Sequence, residues 1–199
     1  GTWLTSERST DWNDPLWLVV YPIAGDHSPS TKKFVGALKE NDFQDVEVFF
    51  KRQGKRYGLA IKTPVVVKLA QPLVEGPPPP PKEPGVLGIM AWSLHMRYWA
   101  WSAAREQSDL PADIRMFVTF HDPKKHSGGH DSLAIREGLI GIVNAFASKR
   151  HLRRNNVIIA HETLHTVGAT DKYDFSSNLP IFPEGYAEPD ASPRYPQRL

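Results

Sequence analysis

Leu139-Ile140-Gly141-Ile142-Val143-Asn144-Ala145-Phe146-Ala147, followed by a basic connection over Ser148 to Arg154 and by Asn155 to Val167, decides the fold. The first run is apolar and short, which reads as a buried strand. Asn155 or Asn156 then caps a helix that runs through His165 or Val167, and Gly168 supplies the break expected at a helix C-terminus. Upstream, Leu16-Trp17-Leu18-Val19-Val20-Tyr21 reads as a buried strand ending at Pro22. A first short helix is expected over Thr31 to Leu38. Asp42 is placed as the cap of a second, with Val46, Phe49, Phe50 and Tyr57 at roughly helical spacing and Gly58 at its end. Pro64 to Leu69 is β-branched and reads as a strand, as does Asp113 to Phe120. Gly85 to Ala104 reads as a long core helix. The order of strands and helices implies a single α/β (α+β) domain over residues 1–199, with a mixed sheet.

Composition narrows the function classes. The chain has 199 residues, enough to bury a core without covalent staples. Lys+Arg 24 against Asp+Glu 22 leaves a formal charge of +2, too balanced for a dedicated nucleic-acid binder. There is no cysteine, so disulfide scaffolds, thiolate zinc sites, iron–sulfur clusters and thiol nucleophiles are excluded. No membrane span is expected, because the longest apolar stretch contains His95 and Arg97. An anchor upstream of Gly1 would fit the tryptophans near that end; a packed N-terminal strand would fit them better. Pro77 to Pro81, inside the Pro-rich segment 76–84, is extended. It reads as a stiff surface loop, or else as a ligand for a proline-binding domain. His121, His126 and His130 share a polar loop whose spacing fits no compact metal site.

Chemistry concentrates in His161-Glu162-Thr163-Leu164-His165-Thr166-Val167-Gly168-Ala169-Thr170-Asp171-Lys172-Tyr173-Asp174. On a helix, His161 and His165 share a face and can present two imidazoles to one metal ion. Glu162 is rotated by about 100° and can reach a water beside that ion without being a ligand. This is the H-E-x-x-H arrangement of zinc peptidases. Three protein ligands plus water are usual for catalytic zinc. Gly168 allows the chain to turn sharply, so Asp171 is a chemically sensible third ligand.

The run resembles the extended H-E-x-x-H-x-x-G-x-x-H/D pattern of metzincin-type zinc peptidases. With Asp at the last position it is similar to the snapalysin and immune inhibitor A types of secreted bacterial protease; the latter carry a similar Asp-x-Tyr-Asp continuation. The resemblance covers about fourteen of the 199 residues. Metzincins also have a Met-containing turn downstream of the motif, whereas Met90, Met96 and Met116 all lie upstream here.

The resemblance implies a zincin-like domain holding one Zn2+ per chain. It implies a zinc peptidase, expected to be an endopeptidase, that hydrolyses peptide bonds with Glu162 as general base. Tyr173 would stabilise the oxyanion or pack beneath the site. Asp174 would accept a hydrogen bond from a histidine N–H or brace the turn. The strand at Gly141 to Ala147 would line the cleft, with an extended substrate pairing along its edge and Gly141, Asn144 and Ala145 in contact with it. The implied partner is a peptide or protein substrate. The implied setting is extracytoplasmic, and the chain is expected to act as a monomer. Two other readings share these residues: a non-catalytic zinc-binding or protein-interaction domain, with His126, His130 or Glu184 as a fourth ligand, and a non-peptidase metallohydrolase.

Overall fold

The computed structural model describes residues 11–79, 81, 85–105, 107, 110–125, 133–135 and 139–170, with backbone only at 86, 87 and 133–135. Along the chain run β1 (Leu16–Ala24), α1 (Pro29–Gly36), α2 (Gln44–Arg56), β2 (Val65–Leu69), α3 (Val86–Arg105), β3 (Ile114–His121), β4 (Leu133–Ile135), β5 (Ile140–Phe146) and α4 (Leu152–Thr166). The strands form one sheet in the order β2-β1-β3-β5-β4. Four are parallel, and the short β4 pairs antiparallel with β5. The fold is a mixed α/β single domain, as the element order implied.

Alternation along the strands divides the core in two. Leu18, Val20, Met116 and Val118 face Val35 of α1, Val46 and Phe50 of α2, and Ile159 and Ala160 of α4. Val19, Tyr21, Ile23 and Phe117 face Met96, Ala100 and Ala104 of α3. Phe117 is wedged between Tyr21 and Trp99, with ring centroids 5.1 and 4.6 Å away. Burial of the Tyr21 side chain pushes its hydroxyl pKa up, partly offset by the nearby Arg115 guanidinium.

Several boundaries differ from expectation for local reasons. β1 does not stop at Pro22 but continues to Ala24, although it is a central strand. Its pairing with β2 ends at Val20↔Leu69. Pro22 lies beyond that point, and its carbonyl accepts from the Leu73 N–H at 2.9 Å. Its missing N–H therefore falls where no ladder partner is required. Asp42 does not cap α2. It sits in a 3-10 turn, Glu40–Phe43, and accepts from the Lys39 N–H. Tyr57 is 63% exposed and stands outside the core. α3 is not a wholly buried helix, since only its inner side is covered. The Pro segment is tied to α3 by the Trp92 Nε1–H, which donates to the Pro78 carbonyl at 3.1 Å.

The turn after β1 is fastened by Asp26. Its carboxylate accepts from the Asp122 N–H at 2.9 Å and from the Ser28 N–H and hydroxyl at 3.1 and 3.0 Å. This joins the ends of β1 and β3 and positions Ser28, whose hydroxyl caps α1. Burial opposes ionisation of Asp26, but those hydrogen bonds outweigh it and hold its pKa below the ordinary carboxylate range. A depressed folded-state pKa contributes stability above the unfolded value of about 4, and that stability is lost as pH falls further. Asp26→Asn is expected to cost about 1–3 kcal/mol at neutral pH. It should also flatten the fall of Tm with acidification below about pH 4. Thermal melts across that range check both.

Candidate active site

α4 leaves the end of β5 and runs back along it. Asn155 and Asn156 are not N-caps, because the helix starts at Leu152 and a 3-10 turn, Lys149–His151, precedes it. Both are instead buried. The Asn155 side chain accepts from the Phe146 N–H at 3.2 Å and donates to the Phe146 carbonyl at 3.0 Å. It thus completes the ladder at the end of β5 and fixes where α4 begins. Asn156 donates to the Asp42 carbonyl at 2.8 Å, linking α4 to the turn before α2.

Two turns further on, α4 reaches the start of β5. A Cβ added at Gly141 would collide with Met116 and lie 3.9 Å from the Glu162 Cβ. Gly141 therefore allows β3, β5 and α4 to approach one another beneath Glu162. Glu162 is only 5% exposed. Thr163 and Thr166 beside it satisfy their hydroxyls by donating to the Ile159 and Thr163 carbonyls, both at 2.7 Å.

His161 and His165 are half-buried, and their rings meet edge to face with centroids 4.4 Å apart. The two Nε2 atoms are 2.9 Å apart. The C-terminus of α4 settles the state of His165. Gly168 adopts φ 103°, and the Gly168 and Ala169 N–H groups donate to the His165 and Leu164 carbonyls, both at 3.0 Å. That is a Schellman closure. It brings the Ala169 carbonyl to 2.9 Å from His165 Nδ1. A carbonyl can only accept, so Nδ1 carries a proton, and in the neutral ring Nε2 is the nitrogen that presents a lone pair. In the neutral pair His161 Nε2–H donates to it.

These residues fit part of a zinc site. Two nitrogens on a tetrahedral zinc at 2.0–2.1 Å lie roughly 3.3 Å apart, so the observed spacing needs to widen by only a few tenths of an ångström. The Nδ1–H···O=C bond of His165 is the kind of brace that metal-bound imidazoles carry. Among the described residues, no group of three or more His, Cys, Asp or Glu side chains converges as a metal cluster. Asp171, Tyr173, Asp174 and Glu184 lie outside the described residues, as do His126 and His130.

The expected substrate contacts do not assemble as a set. β5 pairs with β3 along its length, and β4 pairs with its other side at Ile140 to Ile142. Ala145 is buried in the core under α4. Asn144 points to the opposite face from Glu162, where its Oδ1 lies 3.2 Å from His121 Nε2. Of the three, Gly141 is the one that adjoins Glu162. Sequence reasoning missed the Ala169 carbonyl, the Met116–Gly141 contact and β4. Gly168 was the available signal for the first of these. No protein-family model matches the chain, and no curated protein matches it.

Proposed function

We propose that the chain is a zinc-dependent peptidase of the zincin-like class, with His161 and His165 holding the metal through Nε2 and Asp171 as the third ligand. One observation carries the reading: two imidazole nitrogens converge at 2.9 Å beside a glutamate that is almost fully buried. When bound, zinc supplies the Lewis acidity that polarises a scissile carbonyl and makes water more acidic.

The protein's own residues supply the remainder. Ala169 fixes the His165 tautomer and orients its ring. Gly141, with no side chain of its own, leaves room for Met116 and lies close to the Glu162 Cβ. The Glu162 carboxylate takes a proton from the attacking water and passes it to the departing amine. Tyr173 and Asp174 keep the roles that the resemblance implies for them, and the proposed setting is extracytoplasmic.

The test is cleavage of a fluorescence-quenched peptide mixture in the presence of zinc. Hydrolysis by the wild type that stops on chelation supports the peptidase reading. Zinc binding without hydrolysis of any peptide contradicts it and favours a metal-binding domain or a hydrolase for another bond.

A further inference from the structure

We propose that the protein holds the outer edge of β2 shut against strand addition by a second copy of this chain, with Glu47 and Gln107 as the two guards. Among the described strands, β2 is the last on its side of the sheet. Its run Val65-Val66-Val67-Lys68-Leu69 is rich in β-branched residues and carries a single charge. A run of this kind pairs readily with a copy of itself wherever its backbone groups are open. β1 and β3 separate β2 from β5, so the device is independent of the histidine cluster on α4.

The pairing with β1 shows which backbone groups point away from the sheet. The Leu16 N–H donates to the Pro64 carbonyl and the Ala70 N–H to the Val20 carbonyl, both at 2.9 Å. Backbone groups alternate in direction along a strand, so the even-numbered residues here turn theirs toward β1 and Val67 turns its N–H outward. That N–H donates to Glu47 Oε1 at 2.7 Å. A carboxylate on a backbone donor is a strong acceptor, and it leaves no proton for an incoming strand. Just past the end of β2, the Gln107 side chain takes the place of a neighbouring strand. Its Oε1 accepts from the Gln71 N–H at 2.6 Å and its Nε2 donates to the Gln71 carbonyl at 3.1 Å. The guards arrive from opposite faces of the sheet: Glu47 lies on α2, which packs on one face, and Gln107 follows α3, which covers the other. Between the two positions, Lys68 is held by Glu40 at 3.3 Å, which keeps the charge of the run beside the same edge.

The experiment is sedimentation velocity of the full chain over a wide range of concentration, together with amide hydrogen exchange read at Val67 and Gln71. Glu47→Gln keeps an acceptor for the Val67 N–H and is expected to sediment as the wild type does. In the double variant Glu47→Ala/Gln107→Ala, both amides should exchange about tenfold faster or more when the protein is dilute. As concentration rises, the double variant should form larger species in which both amides are protected again. Circular dichroism of the dilute protein establishes that it is folded; if the double variant does not fold, each single alanine variant is read in the same way at its own amide. A folded variant that sediments as the wild type does at every concentration overturns the proposal. So does association that leaves the two amides exchanging fast, because the contact would then lie elsewhere on the molecule.

Discussion

Glu162→Gln is expected to keep zinc at the wild-type level while kcat/KM for peptide hydrolysis falls by about 10²–10⁴. The substitution is nearly isosteric. Glu162 is only 5% exposed, so a change of volume would disturb packing, whereas an amide of the same shape should not. The amide cannot accept and return a proton as a carboxylate does, so the loss falls on turnover. The imidazole pair is untouched, so metal content should not change. Parallel measurement of zinc per chain and of peptide hydrolysis checks both halves. Full turnover in the variant would remove Glu162 as the base.

Asn155→Ala is expected to destabilise the fold by about 2 kcal/mol, because it removes two hydrogen bonds and takes the acceptor from the Phe146 N–H, while the Phe146 carbonyl keeps the Ser148 N–H at 2.8 Å. For a chain of this size that corresponds to a fall in Tm of about 4–8 °C. Asn155→Asp should be nearly as damaging. It keeps the acceptor for the Phe146 N–H but sets an oxygen against the Phe146 carbonyl, where the wild type has a donor at 3.0 Å. Thermal and denaturant unfolding of the two variants together separate this account from simple loss of side-chain volume. Stability unchanged in Asn155→Asp would mean that the pairing with β5 is not what holds α4 in place.

The parts of the molecule that were legible in the sequence are those governed by local periodicity. His161 and His165 are four apart on a helix, and their rings do meet. Gly168 does end that helix with a positive φ. The apolar runs became strands because short β-branched segments bounded by turns have few alternatives. Features that depend on distant partners were harder to read. β4 is three residues long and exists through its pairing with β5, so its own sequence carries little signal. Asn155 and Asn156 look like cap residues by type. Yet the helix had already begun, and their side chains serve a strand and a turn elsewhere in the chain. The outer face of α3 was hidden by its composition, since Trp, Met and Leu on both sides of a helix look like core. Asn144 was a different matter. It lies an odd number of residues from Gly141, so strand alternation alone sets the two on opposite faces of β5.

The central claim is that His161 and His165 hold a metal ion. The most direct measurement is elemental analysis of protein loaded with zinc and dialysed, wild type beside His165→Ala, purified without a metal-affinity step. The account predicts about one zinc per wild-type chain, as a single three-ligand site would bind, and its loss in the variant. A wild type that binds no zinc, or a variant that keeps it, would contradict the account.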